Sequence, residues 1–210
     1  MQAGEWNTLV MALEQSAAND TGLSGVNRLA GAMNEEPEHA SQVRAIALAL
    51  FDDTAELHGR GWAERRLLEA AALLHDIGHS MRRKPHHKAS RDGILEAEFE
   101  EFTEREQHMI ACVARYHRKA HPKRDHRIYR DLAPGDQAIV RELAGILRIA
   151  DGLDRAHEAS VTGVKARLKG DVLRIAVTQR FPCEEDVCGG MRKRQLFEQA
   201  FGVTVEIEAE

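Results

Sequence analysis

The segment from 64 to 79 constrains this chain more than any other. Leu67, Leu68, Ala70, Ala71, Ala72, Leu73, Leu74 and Ile77 cover nearly the whole circumference of a helix. A helix that is apolar all round has to be a central, buried one. Yet this one closes on His75-Asp76-Ile77-Gly78-His79. Ionisable groups at the end of a buried helix need partners, because leaving water is costly for them unless they are paired or coordinated. The segment therefore predicts a helical body built around it and a cluster of polar residues assembled at its end.

The remaining helices follow from spacing. Trp6, Leu9, Val10 and Leu13 recur at helical intervals, and a Gly/Asn/Ser-rich stretch over 19–27 breaks that pattern. Asn34-Glu35-Glu36-Pro37 reads as a helix start, with Pro in the first turn and acids at the positive dipole end. The helix it opens runs over 37–57, with Val43, Ala47, Leu50 and Phe51 on one face, and Gly59 and Gly61 close it. A short helix is expected near 89–97. A longer one runs over 103–119, where Thr103 and Glu106 form a capping box. Ile139, Val140, Leu143, Ile146, Leu147, Ala150 and Leu153 mark a helix over 134–157.

The period changes near residue 160. Val161, Val164, Ala166 and Leu168 precede Lys169-Gly170-Asp171, and Val172, Leu173, Ile175 and Val177 follow, which reads as two strands around a tight turn. A helix is expected over 191–201, and Val203, Val205 and Ile207 alternate as a third strand. The fold class is mainly α: an N-terminal helical extension (1–34), a helical domain (35–158) and a small α+β subdomain of order β-β-α-β (159–210).

Composition excludes several roles. The longest apolar run, from Ala45 to Phe51, is far short of the about 20 residues a membrane-spanning helix needs. No basic region followed by an apolar stretch opens the chain, and Cys112, Cys183 and Cys188 show no framework spacing. These features point to free thiols in a reducing cytoplasm. A net charge of −5 and only 5% aromatic residues argue against an extended nucleic-acid partner. Histidine, with eleven residues spread through the chain, points instead to metal or proton chemistry.

His39 lies near the start of the helix over 37–57, and Asp151 sits between Ala150 and Leu153 on an apolar helix. With His75 and Asp76 they make a two-His, two-carboxylate set drawn from three helices, which suits a divalent cation with mixed N/O ligands. Buried polar residues bonding one another, with Asp151 paired to Arg148 or Arg155, would satisfy the same spacing. His79 follows His75 by four residues and shares its face on a continuous helix. There a histidine could protonate a leaving oxygen.

The pattern H…HD…D resembles the HD superfamily of metal-dependent phosphohydrolases. Five ordered motifs are similar to the C-terminal half of the Ppx/GppA family, the exopolyphosphatases and guanosine pentaphosphate phosphatases. They are Ala70 to Gly78, His86-His87-Lys88-x-Ser90, Arg115-Tyr116-His117-Arg118-Lys119, Leu147 to Arg155, and Leu196-Phe197-x-x-x-Phe201-Gly202. The resemblance covers about residues 35–208 and implies an HD-type helical bundle. It also implies His39, His75, Asp76 and Asp151 as ligands of one metal. A second metal would use His86 or His87 together with His117, bridged by Asp76. The metal could be Mn, Fe, Ni, Co, Mg or Zn. Family members carry their phosphatase chemistry in N-terminal actin-like domains with glycine-rich phosphate loops. Only about 35 residues precede the helical body here and no such loop is present, so the resemblance implies the HD module alone.

Two basic segments adjoin these histidines. Residues 80–91 carry +5 through Arg82, Arg83, Lys84, Lys88 and Arg91, and residues 115–130 carry +6. Arg82, Lys88 and Arg118 are the expected phosphate contacts. The resemblance thus implies a stand-alone phosphohydrolase in which Asp76 and His79 are catalytic and the substrate is a nucleotide, alarmone or short polyphosphate. Its rival is a non-catalytic phosphate-binding or dimerisation module, and a homodimer is compatible with either.

Overall fold

A computed structural model describes residues 22–81 and 85–210. The helix expected over 6–13 and the basic residues Arg82, Arg83 and Lys84 lie outside the described residues. The described chain is mainly α, with a three-stranded sheet near its C-terminus.

Helix α1 (Ser24–Met33) begins inside the stretch whose composition predicts a break. Burial explains the difference. Leu23 and Val26 enter the core, and Ala30 and Met33 pack against it at helical spacing. That packing outweighs the poor helix propensity of Gly25 and Asn27. Helix α2 (Pro37–Asp53) opens on its proline as the sequence indicates. It stops at Thr54, whose hydroxyl donates to the Leu50 carbonyl at 2.7 Å. A single turn, α3 (Ala55–His58), follows, and Gly59 closes it in the left-handed conformation.

Helix α4 (Trp62–Leu74) is the central one, packed against α1, α2 and two later helices, α6 (Glu104–Arg115) and α8 (Pro134–Gly152). Its Leu68, Ala70, Ala71, Ala72 and Leu74 are fully buried. The one buried acid on it, Glu69, is held by the Arg44 guanidinium of α2. Helix α5 (His86–Glu96) starts earlier than expected and so carries both His86 and His87. The Thr103 capping box of α6 is formed, and a short α7 (Arg127–Arg130) leads to α8.

Strands β1 (Val161–Lys169) and β2 (Val172–Gln179) pair antiparallel around Gly170. Strand β3 (Thr204–Ala209) pairs parallel to β2, which requires a crossover. The crossover is two helices rather than the one expected: α9 (Glu184–Lys193) and α10 (Gln195–Phe201), which meet at Arg194. Glu184, Glu185 and Asp186 in the first turn of α9 complement its dipole and explain why helix begins before 191. Among the described residues no helix is long and apolar enough to cross a membrane.

The subdomain grips the helical body backbone to backbone. A Cβ built on Gly152 would lie 2.6 Å from the Gly189 carbonyl oxygen, and one built on Gly189 would lie 2.1 Å from that of Gly152. Buried Asp186 adds a second tie, accepting from the Ala156 amide at 2.8 Å and from the Ser160 hydroxyl. In an open helix interior, Gly→Ala stabilises by about 1 kcal/mol. Here Gly189→Ala should instead destabilise, by about 1–3 kcal/mol, the usual cost of overpacking. Denaturant unfolding checks the sign.

Candidate metal centre

The site forms where α4 stops. His75 ends the helix, Asp76 leaves helical geometry, and Ile77–His79 make one tight turn. The helix thus ends five residues earlier than sequence periodicity suggests, and the relation of His79 to His75 as neighbours on a helix face does not hold. His79 still lies beside Asp76, its Nε2 3.8 Å from Oδ2, with its side chain about half exposed. Gly78 lets α5 close onto this turn, since a Cβ there would lie 2.2 Å from the His86 carbonyl oxygen. The Gly78 amide donates to the Ser90 hydroxyl at 2.9 Å. This close approach delivers His86 to Asp76.

Each of three histidines is fixed so that Nε2 faces inward. His75 Nδ1–H donates to the Ala72 carbonyl and His117 Nδ1–H to the Ala114 carbonyl, both at 2.7 Å. A carbonyl only accepts, so each of these Nδ1 atoms carries the hydrogen and each Nε2 is free to act as a ligand. His39 Nδ1 meets the Asp154 carboxylate at 2.7 Å, which produces the same orientation. Such outer partners hold metal-ligating histidines in place. His39 Nε2 and His75 Nε2 are 3.3 Å apart. Two nitrogen lone pairs at that distance need a proton or a cation between them.

Asp76 is the hub. Its Oδ2 faces His75 Nε2 at 3.6 Å, and its Oδ1 faces His117 Nε2 at 3.4 Å and His86 Nε2 at 3.6 Å. Oδ1 is buried and accepts no hydrogen bond in the structure. Asp151 Oδ1 lies 3.7 Å from His39 Nε2. Neither Arg148 nor Arg155 pairs with Asp151. Arg148 donates to the Tyr116 carbonyl, and the partner of Asp151 is Lys193 of α9. Among the described residues, two groups have ligand atoms within 4.8 Å of one another: His39, His75 and Asp76, and then Asp76, His79 and His86. The orphaned Oδ1 and the converging Nε2 atoms fit a divalent cation with mixed N/O ligands.

Electrostatics follow from this arrangement. Burial works against a charge on His39, but Asp151 and Asp154 outweigh it and raise the imidazole to about 9. Burial also opposes ionisation of Asp76, yet the His75 and His117 imidazoles hold it well below the usual carboxylate range. Asp151 is held low against its burial, chiefly by Lys193 and then by His39. Desolvation dominates at His117 and pushes it down to about 3, despite Asp76 and Asp151.

The other expected residues divide. Arg118 reaches the site, with NH1 2.8 Å from His86 Nε2. Lys88 is exposed on α5, and Arg82 lies outside the described residues. His87 joins neither group of converging ligand atoms. It is buried, its Nδ1 has no hydrogen-bond partner, and burial with the charges of His86 and Arg115 lowers it to about 4. Arg91 is taken by Asp92, and Arg127 and Arg130 by Asp131, so the basic rim is narrower than its sequence count.

Three further side chains, those of Asp154, His157 and Lys193, touch the candidate ligands. Asp154, three residues after Asp151, carries a periodic signal that could have found it. His157 stacks on His39 at 3.9 Å and is bonded to Glu36. Both His157 and nearby Ala159 have positive φ, and the Ala159 amide donates to Asp154 Oδ1 at 3.1 Å. Lys193 has no local signal at all.

His39 yields a pH prediction. Its folded value is raised above the ordinary 6.5. In metal-free protein its ion pairs therefore contribute stability that is complete below 6.5 and lost as pH rises through about 9. Thermal midpoints should fall across that window in the wild type and fall less in His39→Asn; equal slopes would contradict the assignment.

A family model, Ppx/GppA phosphatase, domain III, matches residues 23–187. No curated protein matches the chain.

Proposed function

The chain belongs to the Ppx/GppA phosphatase family, matching its domain III, and from that premise we propose that it is a metal-dependent phosphohydrolase. The observation that carries the reading is the convergence of His39 Nε2, His75 Nε2 and an Asp76 oxygen within 4.8 Å. His39, His75, Asp76 and Asp151 would hold one divalent ion. The other oxygen of Asp76, facing His86 and His117, supports a second ion beside it, which His86 would join only once Arg118 leaves its Nε2 for a phosphate. Bound there, the metal supplies Lewis acidity to a water and to the phosphoryl oxygens.

The chain's own residues do the rest. Asp154 and the Ala72 and Ala114 carbonyls orient His39, His75 and His117. Water attacks phosphorus, the bond to the leaving oxygen breaks, and His79, half exposed beside Asp76, gives that oxygen a proton. Arg118 binds phosphate from its place on His86, and Lys88, exposed on α5, adds positive charge. The family relation favours a polyphosphate or nucleotide substrate.

Protein purified without chelator and loaded with Mn²⁺ tests this against a panel of nucleotides, alarmones and short polyphosphates. The wild type should release orthophosphate. Asp76→Asn should lose bound metal and slow release about a hundredfold or more, since several kcal/mol of transition-state stabilisation go with the ion. Turnover by Asp76→Asn at the wild-type rate would place the chemistry elsewhere. Metal and phosphate binding without turnover would make the chain a non-catalytic phosphate-binding module.

A further inference from the structure

We infer that Lys193 is a phosphate-binding residue of the metal centre, supplied by the C-terminal subdomain; this rests on the metal-dependent reading above. Lys193 ends α9 and lies beyond residue 187, where the family model stops. Its ammonium is bonded to Asp151 Oδ2, while Asp151 Oδ1 faces His39. The two oxygens thus serve different partners, and an ion taken at Oδ1 leaves Lys193 where it is.

The contact is built rather than incidental. Helix α9 comes this close only because Gly152 and Gly189 meet without side chains, and a Cβ on either would strike the other's backbone. Gly190 continues the seam, since a Cβ there would lie 2.9 Å from Leu153 Cδ2. A lysine needs no such approach to remain solvated. The chain has packed two helices backbone to backbone and carried an ammonium into a site of buried ligands.

Charge indicates its use. Asp76, Asp151 and Asp154 are three acids around the imidazoles. One divalent ion leaves these three acids with one uncompensated negative charge. Lys193, beside Asp151, cancels it locally, and Arg118 on His86 adds a further positive charge. An ammonium has three donors, and the Asp151 oxygen occupies one. The side chain is 21% exposed, so it is reachable from solvent. Charge-assisted hydrogen bonds from that ammonium to phosphoryl oxygens are the interaction it is placed to make.

Calorimetry on the full chain tests this with two probes: Mn²⁺ alone, then orthophosphate added to Mn²⁺-loaded protein. Lys193→Met should bind Mn²⁺ at least as tightly as the wild type, because a positive charge beside the cation is gone. It should bind orthophosphate about tenfold or more weakly, the loss of one charge-assisted hydrogen bond. Lys193→Arg should keep most of the phosphate affinity, and Lys193→Gln provides a second neutral variant if Met disturbs folding. Weaker Mn²⁺ binding in the neutral variants would overturn the inference and leave Lys193 a positioning residue for Asp151. Unchanged phosphate binding in them, or none by Mn²⁺-loaded wild type, would overturn it too, with the metal reading intact. A wild type that binds no Mn²⁺ would take both readings down.

Discussion

The Asp76 carboxylate lies mostly out of water between His75 of its own segment and His86 and His117 of two others, and one of its oxygens has no hydrogen bond. An ionised group in that position is tolerated only where opposite charge or a ligand compensates it. Much of the surrounding structure serves that compensation. Helix α4 ends early so that Asp76 can leave the helical path. Gly78 admits α5 and therefore His86. The Nδ1 bonds of His39, His75 and His117 turn three nitrogens inward. Each of these local features is ordinary alone, and together they converge on one point.

The helical body was legible in the sequence because its signals are local. The all-apolar pattern of 64–79 identified the central helix, Pro37 marked the start of α2, and Thr103 with Glu106 marked the start of α6. The strand pair around Gly170 was legible from alternation. Helix ends were less so. Periodicity does not register the backbone change at Asp76, which moved His79 off the helix face while keeping it beside the carboxylate. Nor did composition reveal α1, where burial of Leu23 and Val26 outweighs Gly25 and Asn27.

For the candidate site, His75 and Asp76 stood out as ionisable residues ending a buried helix and Asp151 as a carboxylate on an apolar one, while His39 rested on its place near a helix start and on the H…HD…D resemblance. His157 and Lys193 could not. One reaches the site through a left-handed backbone and the other through a glycine seam between distant helices, and neither leaves a periodic trace. The net charge of −5 is similarly uninformative about the site. Several cations of the basic segments are spent on neighbouring acids. Among the described residues, the Arg and Lys groups bonded to candidate ligands are Arg118 and Lys193, the latter from near the C-terminal end of the sequence.

The central claim is that two histidines and carboxylate oxygens at the end of α4 hold a divalent metal. X-ray absorption on protein loaded with one equivalent of Zn²⁺ measures this directly. The account predicts only nitrogen and oxygen neighbours at about 2.0–2.2 Å, with the multiple-scattering pattern of about two imidazoles. It also predicts that this pattern is lost in Asp76→Asn. Sulfur neighbours at about 2.3 Å, or the same spectrum from Asp76→Asn, would contradict it.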